Sequence, residues 1–407
     1  MIGRGTLLLW AAGLILAGHT VASAQDMDMD MDTDSEDTDP LKFTVSVIGA
    51  YTDNRDASTI AESTFDFCLQ PRLDAVSRWE NNSSAVFYYA PAFRFRSDPS
   101  IYQNGNQLLH DLGLRLSHGF SDLVSVDLNE YFNYTDDPSV QEDGASLRSD
   151  ASFILNRVDA GLTYKFNPRA SLAVSGNNTI KRFSEAKVAK DSDEDSVGGG
   201  LTLQGRVSKQ MELLAVAEVE SYAYKSSLNL ERGVSTASFG VGMDSIFSPN
   251  FQAAIRGGLQ MSEYDDSALD SSITPYGSLS LVVMPMPATR FSVDVSHSTR
   301  NSDVYPFSSQ KSTAVTGGLE WDAVPSQLTL ILTGAFQRGE YSADSLPADE
   351  ALYPTGNRDA VMATAQAVFV IDNATSLKFV QAYENISSDV SESFTKNSTS
   401  LAVSRTF

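Results

Sequence analysis

From residue 41 onward apolar and polar positions alternate with period two, and no 3.6-residue periodicity is sustained beyond that point. In residues 65–78, Phe65, Phe67, Leu69, Pro71, Leu73 and Ala75 share one face, while Asp66, Cys68, Gln70, Arg72, Asp74 and Arg78 share the other. Residues 289–300 repeat the pattern, with Phe291, Val293 and Val295 opposite Ser292, Asp294, Ser296 and Arg300. Successive side chains of a strand point to opposite faces, so each segment predicts a strand with one apolar and one wet side. Short turn signals recur at Glu80-Asn81-Asn82, Ser121-Asp122, Asn167-Pro168-Arg169, Ser208-Lys209-Gln210, Ser248-Pro249-Asn250, Pro285-Met286-Pro287, Val324-Pro325-Ser326 and Asp372-Asn373-Ala374. Between them lie longer acidic stretches near residues 54–63, 98–107, 136–149, 184–197, 226–234, 265–271, 301–308, 342–357 and 388–393. Eight short turns join nine hairpins, which predicts about eighteen strands; mixed faces in residues 211–225 and 358–387 leave sixteen as the alternative.

A propeller has a similar period of ~40 residues, but it fits four short strands into that length. Here each repeat holds two strands, long enough to cross a bilayer when tilted, and carries no Gly-His or Trp-Asp blade signature. After residue 25 no run of ~18 apolar residues exists, so a membrane reading requires a closed barrel rather than helices. Aromatic residues cluster at both strand ends. Trp79, Phe120, Phe166, Phe247, Trp321 and Phe407 lie near the short turns; Tyr51, Phe65, Phe95, Tyr134, Phe183, Tyr224, Tyr264, Tyr341 and Tyr383 lie near the long loops. Two belts one strand length apart are expected of aromatic girdles at the two membrane interfaces. The fold class is therefore all-β, a transmembrane antiparallel up-and-down β-barrel over residues 41–407.

The N-terminal part reads differently. Arg4, the apolar run from Leu7 to Ala17 and Ala22-Ser23-Ala24 before Gln25 have the three parts of a secretory leader, so residues 1–24 are expected to be a signal peptide. Residues 25–40 follow as an acidic segment, with eight acids and no bases within 26–39, and their composition predicts a solvated, disordered tail.

Charge sharpens the picture through its placement. The 407 residues carry a formal charge of −23, a field that repels nucleic acid. Leaving out the leader and the tail puts −16 on residues 41–407, and the nine long stretches hold 22 acids and 5 bases, so strands and turns together carry about +1. The acidity belongs to the tail and the outer rim, which is where divalent cations bridging anionic surface polymers would meet it. On the wet face the strand phase places Arg72, Arg78, Arg94, Arg96, Arg115, Arg157, Lys165, Lys181, Arg206, Arg256 and Arg300. The acids there are Asp66, Asp74, Asp111, Asp127, Asp159, Glu218, Glu220, Asp244, Asp294, Glu320 and Asp322. Eight of the eleven bases precede residue 200 and six of the eleven acids follow it. Either an arginine-rich arc faces a more acidic one across a pore, or the charges pair locally and hydrate a wet interior. The residues expected to line such a pore are Arg72, Arg94, Arg96, Arg115, Arg157, Arg206, Arg256, Asp127, Glu218 and Asp294.

Enzymatic chemistry finds little support. His110, His118 and His297 have no serine two positions away on their own strand face, which a barrel hydrolase with a Ser-His pair requires. His110 and His118 are eight residues apart, about 27 Å at strand rise, too far to share a metal. The single cysteine, Cys68, excludes a disulfide framework or a multi-cysteine metal cluster. No catalytic residue, metal or cofactor is expected.

The C-terminal strand ends Leu401-Ala402-Val403-Ser404-Arg405-Thr406-Phe407. Its alternation, closing on Leu401, Val403 and Phe407, resembles the assembly signal of bacterial outer-membrane barrels, although Arg405 departs from the usual apolar residue two before the end. The first hairpin carries Gly49-Ala50-Tyr51-Thr52-Asp53-Asn54, then a polar loop, then Pro71-Arg72-Leu73. This stretch resembles the beta-barrel porin-2 family of outer-membrane porins. The resemblance implies a channel in the bacterial outer membrane for export of polysaccharide, with a periplasmic polysaccharide-export protein as partner. It also implies contact with outer-membrane lipids and lipopolysaccharide and with the barrel-assembly machinery; nucleic acid is not an expected partner. The alternatives are a general diffusion porin for small solutes and a structural or adhesive barrel with an occluded lumen.

Overall fold

The computed structural model describes residues 40–79, 82–98, 105–136, 152–225, 232–302, 304–346 and 353–407. Residues 1–24, expected to be a leader, residues 25–39 of the acidic segment and residues 137–149 of the third long stretch lie outside the described residues. Nineteen strand segments follow in chain order. They are β1 (Leu41–Thr52), β2 (Thr64–Trp79), β3 (Ser83–Tyr89), β4 (Ala92–Arg96), β5 (Asn106–Gly119), β6 (Val124–Thr135), β7 (Phe153–Asn167), β8 (Ala170–Phe183), β9 (Glu194–Arg206) and β10 (Met211–Tyr224). Then come β11 (Val234–Ser248), β12 (Phe251–Tyr264), β13 (Ser272–Met286), β14 (Thr289–Asn301), β15 (Ser309–Val324), β16 (Leu328–Tyr341), β17 (Gly356–Asp372), β18 (Thr375–Ser388) and β19 (Phe394–Thr406). A short helix, α1 (Ala186–Ser192), precedes β9.

Segments β3 and β4 are one stave. Both pair with β2 and with β5 in a single register, from Leu73↔Tyr89 to Asp66↔Arg96, and the break falls at Ala90-Pro91, where the proline has no N–H to donate. Eighteen staves therefore run antiparallel, each beside its sequence neighbour, and β19 pairs back onto β1 from Thr44↔Thr406 to Thr52↔Ser398. The barrel is closed and has no free edge. Residues 211–224, mixed in their pattern, form an uninterrupted ladder with β11, and residues 358–387 pair with both neighbours, with one register shift between Val370 and Asp372 on the β18 side. No helix among the described residues is long and apolar enough to cross a membrane.

The short connections form for local chemical reasons. In five of them a side-chain oxygen accepts the backbone N–H two residues on, which closes the turn without help from the sheet. Ser121 does so for Leu123 (3.2 Å), Asn167 for Arg169 (2.8 Å), Ser208 for Gln210 (3.1 Å), Ser248 for Asn250 (3.3 Å) and Asp372 for Ala374 (2.8 Å). By the rule that short turns face the periplasm, these mark the periplasmic rim and the long stretches mark the outer rim.

The registers carry one inside–outside phase around the whole wall. Leu41, Phe43, Val47, Phe67, Leu69, Leu162, Val174, Leu201, Val241, Leu259, Val293, Leu332, Phe379, Leu401 and Val403 are exposed on the outside. At the periplasmic rim Trp79, Phe120, Phe166, Phe247, Trp321 and Phe407 are all exposed as one belt, with Arg405 packed over the Phe407 ring at 5.7 Å. The outer belt is only partial. Tyr51, Phe65, Phe95 and Tyr383 are exposed there and Tyr134 keeps the outward phase, but Phe183, Tyr224, Tyr264 and Tyr341 stand on the inward phase. The reason is parity: Tyr224 shares its face with Glu218 and Glu220, so its ring goes where those carboxylates go.

One close approach constrains the wall. Gly258 pairs with Gly240, and a β-carbon on Gly258 would lie 2.0 Å from the Phe239 carbonyl oxygen. Gly258→Ala is expected to destabilise the barrel by about 1–3 kcal/mol, since rigid backbone must move. Gly317→Ala, whose methyl group meets nothing nearer than 4.0 Å, is the control, expected within ~0.5 kcal/mol of the parent. The urea midpoint of the folded barrel in lipid vesicles reads both.

Candidate pore interior

Inward positions fall into two zones along the barrel axis. In the outer half they are buried: Asn54, Arg55, Asp136, Thr236, Gln260, Ser262, Gln310, Ser312 and Gln337 have little contact with solvent. In the periplasmic half Arg115 on β5, Ser175 on β8 and Asp294 on β14 face inward and are nonetheless exposed, so water fills that part of the lumen.

Three inward-folded pieces crowd the outer half. The β1–β2 connection turns in at Asn54, whose amide donates to the carbonyls of Ser58 (2.8 Å) and Thr395 (2.9 Å), and Ala57 packs on Ala360, Ile386 and Phe394. Its Arg55 is ion-paired with Asp56 at 3.2 Å and with Glu62. Helix α1 lies against β7 and β8, where Val188 joins Phe153, Leu155 and Phe183 in one apolar cluster flanked by Tyr131 and Ala189.

The third piece is the β14–β15 connection, one of the shorter long stretches. The β13–β14 pairing stops at Gly277↔His297, so Ser272–Tyr276 and Ser298–Asn301 are not held to each other by a ladder. The Gln260 amide from β12 supplies a substitute: it donates to the Thr299 carbonyl at 2.7 Å and accepts the Thr299 N–H at 3.0 Å. Beyond this point Arg232, 2% exposed, donates to the carbonyls of Ser302 (3.1 Å) and Phe307 (3.0 Å) and lies 4.2 Å above the Tyr224 ring. The Tyr224 hydroxyl donates to the same Ser302 carbonyl and accepts from Asn301 at 3.0 Å. On the far side Phe307 packs edge-on against Tyr341 at 5.2 Å, with Val304 and Leu346. Buried backbone carbonyls need donors, and a guanidinium offers several in one plane. The inward aromatics of the outer rim thus clamp a loop instead of meeting lipid.

The charged inward residues mostly pair with near neighbours. Arg72 donates to Asp74 at 2.9 Å and stacks 4.5 Å over the Tyr88 ring, whose hydroxyl donates to Asp111 at 2.9 Å. Arg94 and Arg96 share Asp66 and Asp136: Arg96 lies 3.2 Å from Asp66 and 3.1 Å from Asp136, and Arg94 is hydrogen-bonded to Asp136. Arg157 pairs with Asp159 (2.8 Å), Arg206 with Glu212 (2.6 Å) and Arg256 with Asp244 (3.5 Å). Asp127 accepts from Ser117 at 2.7 Å, and Glu218 accepts from Ser238 at 3.5 Å. Arg115 donates to the neutral Asn129 at 3.1 Å, and Asp294 sits between Ser280 and Thr316 in the ladder without a charged partner among the described residues. Their staves, β5 and β14, are nine apart in a ring of eighteen, so the two charges face each other across the lumen. Asp136, Arg55 and Arg232 fall in the long stretches that the sequence assigns to the outer rim; each is buried, and each lies within three residues of a strand end, with no local pattern that marks it. Leu401 and Val403 face outward on β19, and the Phe407 N–H donates to the Phe43 carbonyl at 2.8 Å.

One expectation about the histidines is corrected. The Ser83 hydroxyl lies 2.8 Å from His118 Nδ1 on the outward face, brought there from the adjacent stave rather than from the same strand. Among the described residues no carboxylate or amide orients His118; its other neighbour is the Phe120 ring at 4.4 Å. His110 stacks on Tyr89, and His297 pairs with Thr313 at 2.8 Å. Among the described residues no group of acids, histidines or cysteine is arranged to hold a metal ion.

A family model described as "Putative beta-barrel porin 2" matches residues 41–407. Among solved structures the chain is similar to the outer membrane protein OpdK from Pseudomonas aeruginosa, with a TM-score of 0.51, 9% identity and coverage of 90% of this chain and 99% of that one. It is also similar to a BenF-like porin from Pseudomonas fluorescens Pf-5, with a TM-score of 0.48, 12% identity and coverage of 90% and 98%. No curated protein matches.

If Arg232 clamps the third inward piece, Arg232→Gln is expected to free it. Single-channel recordings in planar bilayers should then show larger or noisier open levels than the parent. Recordings identical to the parent's would place the restraint elsewhere.

Proposed function

The chain belongs to the beta-barrel porin 2 family and is an outer-membrane barrel, and from that premise we propose that it conducts neutral, hydroxyl-rich solutes through a wet lumen narrowed in its outer half. The observation that carries this reading is the periplasmic half of the interior, where Arg115, Ser175 and Asp294 are exposed and half-buried hydroxyls line an inward wall that is close to charge-neutral. Ser278, Ser280, Ser292, Ser296, Thr316, Thr333, Ser400 and Ser404 give it a hydroxyl surface on β13 to β16 and β19. Hydroxyls both donate and accept, so they replace the water a sugar sheds without holding it as a fixed charge would. Paired charges on β2 to β10 leave little net field, while Arg115 and Asp294 supply one transverse dipole.

Polysaccharide export is the second reading. It is favoured by hydroxyls that run along the seam where β19 meets β1, with Ser46 and Ser404 hydrogen-bonded at 2.7 Å and Thr44 and Thr406 at 3.0 Å, a lane suited to an extended sugar chain. A single strand threads where a folded coil does not pass the outer constriction. Partners on the periplasmic side and the assembly machinery that reads Leu401, Val403 and Phe407 belong to the same proposal.

Liposome swelling tests the first reading: neutral mono- and disaccharides are expected to enter faster than organic anions of equal size. Transient current blocks by linear dextran added on the periplasmic side support the second. A reconstituted barrel with no open level and no swelling in any sugar is sealed, and sinks both.

The facing pair yields a sign test. Asp294→Asn is expected to shift the zero-current potential in a salt gradient toward anion preference, and Arg115→Gln toward cation preference, because each removes one unpaired charge from the open zone. Neutralising Arg94 and Arg96 together acts differently. It strands Asp66 and the buried Asp136, and is expected to cost about 3–5 kcal/mol of stability, visible as a lower urea midpoint.

A further inference from the structure

The outward face of β6 to β9 departs from the rest of the wall. Glu130 on β6 stands opposite Leu114 and Val158 in the ladder, on the phase of Ile154, Leu162 and Tyr164, which are exposed to the outside. It lies four residues from Tyr134 toward the outer rim and six from Val124, whose ladder partner is Tyr164. At strand rise and tilt that puts the carboxylate roughly 10 Å inside the outer aromatic belt, within the hydrocarbon band. Among the described residues it is the one carboxylate so placed; the outward acids Asp195, Glu263, Glu340 and Asp359 stand near the outer strand ends. Its hydrogen bond is a long one, 3.4 Å from the Asn156 amide of β7. Asn178 of β8 follows on the same face, its amide given to the Ser196 carbonyl at 3.0 Å.

A carboxylate in hydrocarbon is expensive, and such groups are retained where a partner meets them. Beside it runs a row of small side chains, Ala160, Gly176 and Gly199, in ladder register across β7, β8 and β9. It leads into a groove of about 520 Å³ on the outer wall, bounded by Val197, Gly199, Val219 and Met261. A smooth strip lets a second wall come close, and an acceptor flanked by amides gives it something to bind.

We propose that this face is where a second copy of the chain docks, wall to wall in the membrane. Copies that cross the bilayer in the same direction are related by an axis along the membrane normal, so the patch must complement itself. An acceptor on β6 with amide donors on β7 and β8 meets that condition, because each Glu130 then faces amides of the partner. A strip four staves wide and one apolar band tall offers roughly 500 Å² per copy, about 1,000 Å² in total, the lower limit of a specific interface. A lipid tail offers nothing to the second carboxylate oxygen or to the second N–H of each amide, which a facing copy supplies.

Sedimentation of the full barrel in detergent, together with crosslinking in native outer membranes, tests the proposal. The parent is expected at twice the single-barrel mass or more. Glu130→Leu and Ala160→Trp are each expected to shift at least half of it to the single-barrel mass, with the heat-modifiable folded band on gels retained. Val293→Trp, on the far outward wall, should leave the mass unchanged. A parent at single-barrel mass in both measurements, or Glu130→Leu still associated, overturns the proposal, as does a bound lipid found in place of the second barrel.

Discussion

Closure of the sheet is the constraint from which the rest follows. A bilayer offers no hydrogen-bond partner for a peptide group, so every stave must pair on both sides, and the last must return to the first. The β1–β19 ladder, nine residue pairs long, does this. Closure also couples the phases of all eighteen staves: one residue of slip at any turn would turn that stave's apolar face into the water and its charges into lipid. The short turns closed by their own serine, asparagine and aspartate side chains keep that phase locally.

Once inside and outside are fixed, the interior has two separate problems. Near the periplasm water reaches Arg115, Ser175 and Asp294, while Arg206 and Arg256 pair with Glu212 and Asp244. In the outer half, folded loops exclude water, so each polar group there needs a protein partner. The paired Arg94, Arg96, Asp66 and Asp136, the Gln260 bridge to Thr299, and Arg232 on two loop carbonyls are answers to that requirement. Charge is consequently local in the crowded half, and an unpaired charge survives where water reaches it, at Arg115 and Asp294. The expected arginine-rich arc facing an acidic one is largely resolved into local pairs, with Arg115 and Asp294 an opposed pair that is not.

The outward face carries the opposite demand. There an unpaired polar group has no water to turn to, and Glu130 is conspicuous because the other outward acids lie near the outer ends of their strands. The −16 on residues 41–407 is distributed consistently with this: acids collect in the long outer stretches, where solvent screens them.

Strand number, turn positions, inside–outside phase and the outward Leu401, Val403 and periplasmic aromatic belt were legible in the chain, because they depend on period two and on residues adjacent in sequence. The inward phase of Phe183, Tyr224, Tyr264 and Tyr341 is legible too, from their parity along the strand rather than from their nearness to its end. The partners of Arg232, Asp136 and Ser83 were not. Arg232 meets Phe307 seventy-five positions away, and Ser83 meets His118 thirty-five away, contacts set by where a curved wall and an inward loop come together. The sequence by itself determined which side of the wall each residue faces, since alternation and hydrocarbon leave one answer. Only the tertiary structure decided which inward residues are buried and which stay wet, because that depends on how far each loop folds back across the lumen.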